Sequence, residues 1–240
     1  MRVGAFLVEI MSNAYFSFKQ FTVYQDLCAM KVGTDATLLG AWAGVGERML
    51  DIGTGTGVIA LMMAQRLPES RVDAIDADAD ACRQASQNVM ASPFSGRIDV
   101  IFRRLQDFAA SHIEPIYDAV VSNPPYFNHA LKSPDERRTM ARHADSLPFR
   151  DLTACAFRLL KSEGTFSVVV PAEERGRMEM ETLAAGFYPS RVCAVSTTAT
   201  KPPRRYLLEF RKSASLVEQT VLVIGSDEHR RLMHPFLLDK

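Results

Sequence analysis

From Glu47 onward the chain alternates short apolar runs with helix-length amphipathic stretches. No other feature limits the possible folds as much. Arg48 to Ile52 reads as a strand, followed by a glycine-rich turn and by "VIALMMAQRL" as a helix. "RVDAID" is a second strand ending at Asp76, and "ADACRQASQNVMAS" a second helix. "RIDVIF", "YDAVVS" and "TFSVVVP" read as three more strands. Phe149 to Leu160 predicts a helix stopped by Lys161-Ser162-Glu163-Gly164. "EERGRMEMETLAAG" predicts another helix, and "SRVCAVSTT", "RRYLLEFRK" and "TVLVIG" predict closing strands. Repetition of this kind builds an α/β fold, a mostly parallel sheet with helices on both faces. The strand-rich end predicts an antiparallel edge strand.

A chain of 240 residues is long enough for one large domain with a full core. Lys plus Arg balances Asp plus Glu at 28 each, so any nucleic-acid surface must come from local clustering of charge. Cys28, Cys82, Cys155 and Cys193 are widely spaced, which argues against a zinc site or a disulfide framework and suits a reducing cytoplasm. No metal is expected, and no apolar run reaches the length of a membrane span. The opening "MRVGAFLVEIM" carries Glu9 inside its apolar run and lacks a cleavage site, so it does not read as a signal peptide. Residues 1–15 are expected to be an unstructured extension, with Met11 the expected true start, and 16–240 a single domain.

"MLDIGTGTGVIAL" puts Gly53, Gly55 and Gly57 between a strand and a helix, where backbone can approach a ligand closely. Ligands of open parallel sheets bind at the carboxyl ends of the strands, where this turn falls. Asp76, followed by Ala77, ends the next strand and is placed to accept from both hydroxyls of a ribose. The spacing is G-x-G-x-G, not the G-x-G-x-x-G of dinucleotide sites. Asp51 ahead of the glycines would repel a pyrophosphate and suits a cationic ligand. S-adenosylmethionine (SAM) has an amino group, a sulfonium and no phosphate. Asp107, in "RLQDFAA", is either a helix N-cap or an acceptor for an adenine amine, with Phe108 available to cover the ring.

"AVVSNPPYFNH" ends a buried strand on two prolines, neither of which has an N–H for a sheet ladder. Such a corner is either a strand stop or a rigid mount. As a mount it would serve an amide or an aromatic amine, whose lone pair is drawn into the π system. Two acceptors on the two N–H bonds would free and aim that pair. Asn123 offers a side-chain carbonyl and Pro124 a backbone carbonyl. Pro125 keeps the chain from relaxing into a helix, and Tyr126 gives a face for a planar substrate. Asn123, Pro124 and Tyr126 are thus the candidate catalytic residues, with Asn123 and Ala77 also counted among the candidate cofactor contacts. Residues 127–146 read as a long charged loop over the site.

With these residues identified, the chain resembles the class I SAM-dependent methyltransferases that carry an N-P-P-Y signature. "DIGTGTG", Asp76, "QDF" and "SNPPYF" match in order and spacing. The resemblance implies a Rossmann-like, seven-stranded, mostly parallel sheet, SAM as donor and S-adenosylhomocysteine as product. That signature also occurs in enzymes acting on protein glutamine, so it leaves the substrate open. "FKQFTVYQDLCAMKVGTDATLLGAWA" and "KPPRRYLLEF" resemble the bacterial tRNA1(Val) adenine-N6-methyltransferases. This implies methylation of the adenine 3′ of the anticodon, and places Lys31, Thr34 and Asp35 beside the cofactor. A glutamine methyltransferase and a non-catalytic RNA-binding module are the alternatives.

The expected partner is therefore tRNA, the expected compartment the cytoplasm, and the expected state a monomer or weak homodimer. Lys201, Arg204, Arg205, Arg211 and Lys212 read as a basic cluster opposed only by Glu209. Arg137, Arg138, Arg142 and His143 follow the signature. Phosphate contacts from such residues would give salt-dependent affinity without base choice. Lys201, Arg204, Arg205 and Arg142, with Pro125, Tyr126 and Phe127 at the base, are the candidate substrate-binding residues.

Overall fold

The computed structural model describes residues 14–28, 31–125 and 147–238. Most of the described chain wraps one eight-stranded sheet. The strands are β3 (Arg48–Ile52), β4 (Arg71–Asp76), β5 (Ile98–Phe102), β6 (Tyr117–Ser122), β7 (Leu160–Pro171), β8 (Tyr188–Ser196), β9 (Arg205–Arg211) and β10 (Glu218–Val223). Their order across the sheet is β10-β8-β9-β7-β6-β3-β4-β5. Ahead of them, β1 (Tyr15–Ser17) and β2 (Thr22–Tyr24) form a separate antiparallel hairpin. Tyr15 pairs with Tyr24 there, so this hairpin includes a residue of the expected 1–15 extension.

The sheet has one strand more than expected. The expected antiparallel strand is β9, toward the expected end of the sheet but third from the rim, with β8 and β10 outside it. Pairs β3–β4, β3–β6, β4–β5 and β6–β7 are all parallel. From β3, the chain steps outward to β4 and β5, then returns to place β6 on the opposite flank of β3. The strand order thus reverses between β3 and β6, and a crevice opens beyond the carboxyl ends of strands at such a point.

Helices cover both faces because interior parallel strands are apolar on both sides. In β6, Ala119 and Val121 face one core while Val120 faces the other. The first core packs under α1 (Thr34–Trp42), α2 (Val58–Arg66), α3 (Ala79–Met90) and α7 (Asp227–Met233). The second packs under α4 (Leu105–Ala110), α5 (Phe149–Leu159) and α6 (Arg175–Ala184), with Phe166, Phe187 and Phe210 fully buried in it. Neither α1 nor α7 was evident in the apolar pattern. The expected helix stop at Lys161 to Gly164 belongs instead to β7, where the register against β6 shifts between Tyr117 and Ala119. The strand starts as soon as α5 ends, and the shift absorbs the extra residues as a bulge does.

Candidate active site

Beyond the carboxyl ends of β3, β4 and β6 lies a cleft of about 290 Å³. Among the expected site residues, Lys31, Gly53, Gly55, Asp76, Ala77, Asn123, Pro124 and Pro125 line it. Two loops meet there because of register. Ile52 and Ser122 are partners at the ends of β3 and β6, and the Ser122 hydroxyl donates to the Ile52 carbonyl at 2.9 Å. The following residues, Gly53 and Asn123, therefore leave adjacent strands side by side, roughly 5 Å apart at the strand ends. Pro124 is buried and Pro125 exposed, so the corner is anchored by one ring and presents the other.

The glycine turn has φ of +72° at Gly53, +56° at Gly55 and +82° at Gly57. A Cβ on Gly53 would meet nothing within 4 Å, which leaves the backbone open to a ligand. A Cβ on Gly57 would meet the Ala85 Cβ of α3 at 3.3 Å. Gly57 thus packs a helix and does not line the cleft. Asp76 secures the turn from the neighbouring strand: its carboxylate accepts from Gly55 N–H at 2.9 Å and from Asp78 N–H at 2.9 Å. Burial raises its pKa above the ordinary carboxylate value.

Asp51 lies beneath the turn, fully buried and outside the cleft lining, in place of the direct ligand contact expected for it. Its Oδ2 accepts from the Thr54 hydroxyl at 2.7 Å and from Ala60 N–H at 3.2 Å. Burial pushes its pKa up to about 7, against those two hydrogen bonds. Its Oδ1 is buried without a partner, and so is Oγ1 of Thr34 in the first turn of α1.

Phe108 and Asp107 depart from expectation. Phe108 is 4% exposed in the core on the α4 side, with its ring centroid 4.5 Å from that of His112, and it does not line the cleft. Asp107 is exposed on the same short helix and does not line the cleft either. The apolar face of α4 has to point at the sheet, which turns Phe108 away from the crevice. Arg103 lines the cleft instead, with its backbone N–H donating to the Asp76 carbonyl at 2.9 Å. Cys28 and Leu147 complete parts of the wall that sequence reasoning missed. No signal in the sequence marks those three. Ser122, a hydroxyl closing an apolar strand, was a signal that was available.

A family model described as the methyltransferase small domain matches residues 32–187. A tRNA1(Val) (adenine(37)-N6)-methyltransferase of Phocaeicola vulgatus is 51% identical over 221 residues, which is 91% of this chain and 93% of the relative. The chain belongs to this family. A Parabacteroides distasonis protein of the same name is 48% identical over 224 residues, 92% of this chain and 93% of its own length. A solved structure titled "predicted O-methyltransferase" from Agrobacterium tumefaciens superposes with a TM-score of 0.60 at 19% identity. It covers 81% of this chain and 90% of its own, and shows the shared fold.

SAM is accordingly the methyl donor of this enzyme. The residues present fit it. Of the five buried side-chain atoms left without a hydrogen-bond partner among the described residues, the Thr34 hydroxyl and one Asp51 carboxylate oxygen belong to segments bordering the cleft, where the carboxylate and ammonium of an amino-acid end would complement them. The open backbone at Gly53 admits the rest of the ligand.

The basic cluster does not form one patch. β9 separates it, with Arg205 at the cleft end of the sheet and Arg211 at the far end, roughly 20 Å along the strand. Lys201 and Arg204 are exposed in the loop before β9. Lys212 stays at the far end, donating to the Leu160 carbonyl and lying 4.4 Å from the Phe157 ring centroid. Arg205 is bound to Asp35 at 2.7 Å, so two residues expected to hold different ligands hold each other. Glu209 does not oppose the cluster at the surface. It is 2% exposed and takes the guanidinium of Arg191. Tyr126, Phe127, Arg137, Arg138, Arg142 and His143 lie outside the described residues, as does the whole of the expected 127–146 loop. Among the described residues no helix is long and apolar enough to cross a membrane.

Proposed function

We propose that this enzyme transfers a methyl group from SAM to the N6 amine of adenine 37 in tRNA1(Val), the base 3′ of the anticodon. The observation carrying the reading is the juxtaposition of the Gly53 turn and the Asn123-Pro124-Pro125 corner in one cleft at the strand reversal. When bound, SAM supplies a methyl group on a sulfonium centre.

In this reading Asp76 receives the ribose hydroxyls, and the backbone around Gly53 and Gly55 approaches the ligand. Lys31 and Thr34 face its amino-acid end, while Asp51 beneath it is drawn to its ionised form by the bound cation. The Asn123 side-chain carbonyl and the Pro124 backbone carbonyl accept from the two N–H bonds of the target amine and aim its lone pair. Catalysis then consists of orientation and exclusion of water. The prolines make that orientation inexpensive, since the corner has few conformations to lose on binding. Pro125, with Tyr126 and Phe127 next in sequence, receives the base. The base must leave its stack, which costs least in a single-stranded loop.

Lys201 and Arg204 contact phosphate in this reading, and the enzyme acts in the cytoplasm as a monomer or weak homodimer. The test is mass spectrometry of nucleosides from tRNA incubated with enzyme and SAM bearing a deuterated methyl. Labelled N6-methyladenosine is expected. Label appearing only on glutamine of an added protein fraction, or in neither, rejects the assignment.

A further inference from the structure

Part of the cleft wall is the segment Lys31–Ala36, of which Lys31, Val32 and Ala36 line the cavity. This wall is the lead-in and first turn of α1, a weak place to build a precise surface. Gly33 is its N-cap and supplies no side-chain hydrogen bond, and helix starts without such a partner fray readily. Besides the Thr37 hydroxyl, which donates to the Gly33 and Thr34 carbonyls, side chains from outside the segment compensate. Gln25, 1% exposed, accepts from Val32 N–H at 2.8 Å through its Oε1. Asp35, in the first turn, accepts from Arg205 Nε at 2.7 Å.

Arg205 is a firm support for that contact. It opens β9 between Pro171 of β7 and Val195 of β8, so its backbone belongs to the sheet. The preceding residue is fixed too, with Arg204 N–H donating to the Val195 carbonyl at 2.9 Å and Ala172 N–H to the Arg204 carbonyl at 3.1 Å. Its guanidinium also donates from an Nη to the Arg204 carbonyl at 2.9 Å, which holds the side chain in one orientation. The Asp35 carboxylate, for its part, sits where the helix dipole favours negative charge. A contact spanning 170 residues of sequence therefore ties this wall of the cleft to the sheet.

We propose that Arg205 is a positioning residue for the cofactor cleft: through Asp35 it holds the Lys31–Ala36 wall against the bound donor. This separates Arg205 from its exposed neighbours Lys201 and Arg204, to which the phosphate role is given. The inference rests on the assignment of this cleft to SAM, and not on the identity of the methyl acceptor.

The two roles are separated by measuring two affinities in each variant. S-adenosylhomocysteine binding is read by calorimetry without RNA, and tRNA binding by filter retention at low salt. Because the pair is about one-third exposed, its loss is expected to weaken S-adenosylhomocysteine by about fivefold and no more. Arg205→Gln and Asp35→Asn are each expected to show that loss, and the double variant no more than either single one. Arg205→Lys is expected to recover most of the affinity. tRNA affinity is expected to hold in all of these, and to fall in Lys201→Glu with Arg204→Glu, a variant that leaves S-adenosylhomocysteine unaffected. Additive losses in the double variant, or an Arg205→Gln enzyme that loses tRNA while binding S-adenosylhomocysteine normally, would overturn the proposal. A protein that bound no S-adenosylhomocysteine even without substitutions would instead defeat the assignment of the cleft itself.

Discussion

The Ser122 hydroxyl donates to the Ile52 carbonyl at 2.9 Å, between two strands that the chain visits far apart in sequence and lays side by side. That bond closes the sheet at the point where strand order reverses. On one side the backbone turns through Gly53, and on the other through Asn123. The glycine turn and the Asn123-Pro124-Pro125 corner are thus neighbours by sheet topology, and no long-range loop folding is needed to bring them together.

Asp51 makes the protein's stability depend on pH in a direction opposite to that of a salt-bridged carboxylate. Burial raises its pKa from 3.8 to about 7, so the folded form keeps a proton that the unfolded form has lost. Its contribution is complete below about pH 4 and drains away as pH climbs toward about 7, over a span on the order of 4 kcal/mol. Melting curves of the unliganded enzyme and of Asp51→Asn should therefore converge or cross between about pH 5 and 8, the parent losing more. Parallel curves would show that Asp51 is ionised throughout.

Gly53 and Gly57 share a left-handed backbone but differ in what lies beside them. An alanine at either costs about 1–2 kcal/mol of backbone strain. At Gly57 it also presses on Ala85 of α3, whereas at Gly53 it enters open space where the ligand is expected. Gly57→Ala should show the larger drop in melting temperature and Gly53→Ala the larger loss of SAM affinity. The reverse ranking would contradict the assignment of the turn.

Phe108 is a core residue here, and its ring does not line the cleft. Phe108→Leu should cost about 1 kcal/mol, a fall of roughly 2–4 °C in melting temperature, with the SAM dissociation constant unchanged. A selective loss of SAM affinity would restore the adenine-covering role.

The parts of this molecule that could be read from sequence are those governed by local rules. Glycine spacing, the acidic residue closing β4, and two prolines stopping an apolar strand each carry their meaning within a few residues. All of them fall where local chemistry puts them. Phe108 illustrates what is lost: its place beside Asp107 is a fact of sequence, but a helix turns adjacent residues about 100° apart, and packing chose which one met the core. The basic cluster failed for a related reason. "RRYLLEFRK" was legible as a strand, and a strand of that length carries its two ends to opposite rims of the sheet. Partnering of Arg205 with Asp35 was beyond local rules altogether, since it depends on β9 inserting between β7 and β8.

In the proposed reaction Asn123 orients the methyl acceptor, and its side chain is not needed to hold the donor. The direct measurement pairs calorimetry of SAM with single-turnover methylation of tRNA for Asn123→Ala. Removing one preorganised hydrogen-bond partner of a reacting group should slow methyl transfer by at least about 100-fold. The SAM dissociation constant should stay within about twofold of the parent, as expected for a group that contacts only the acceptor. Turnover at the parental rate, or a loss explained wholly by weakened SAM binding, would contradict it.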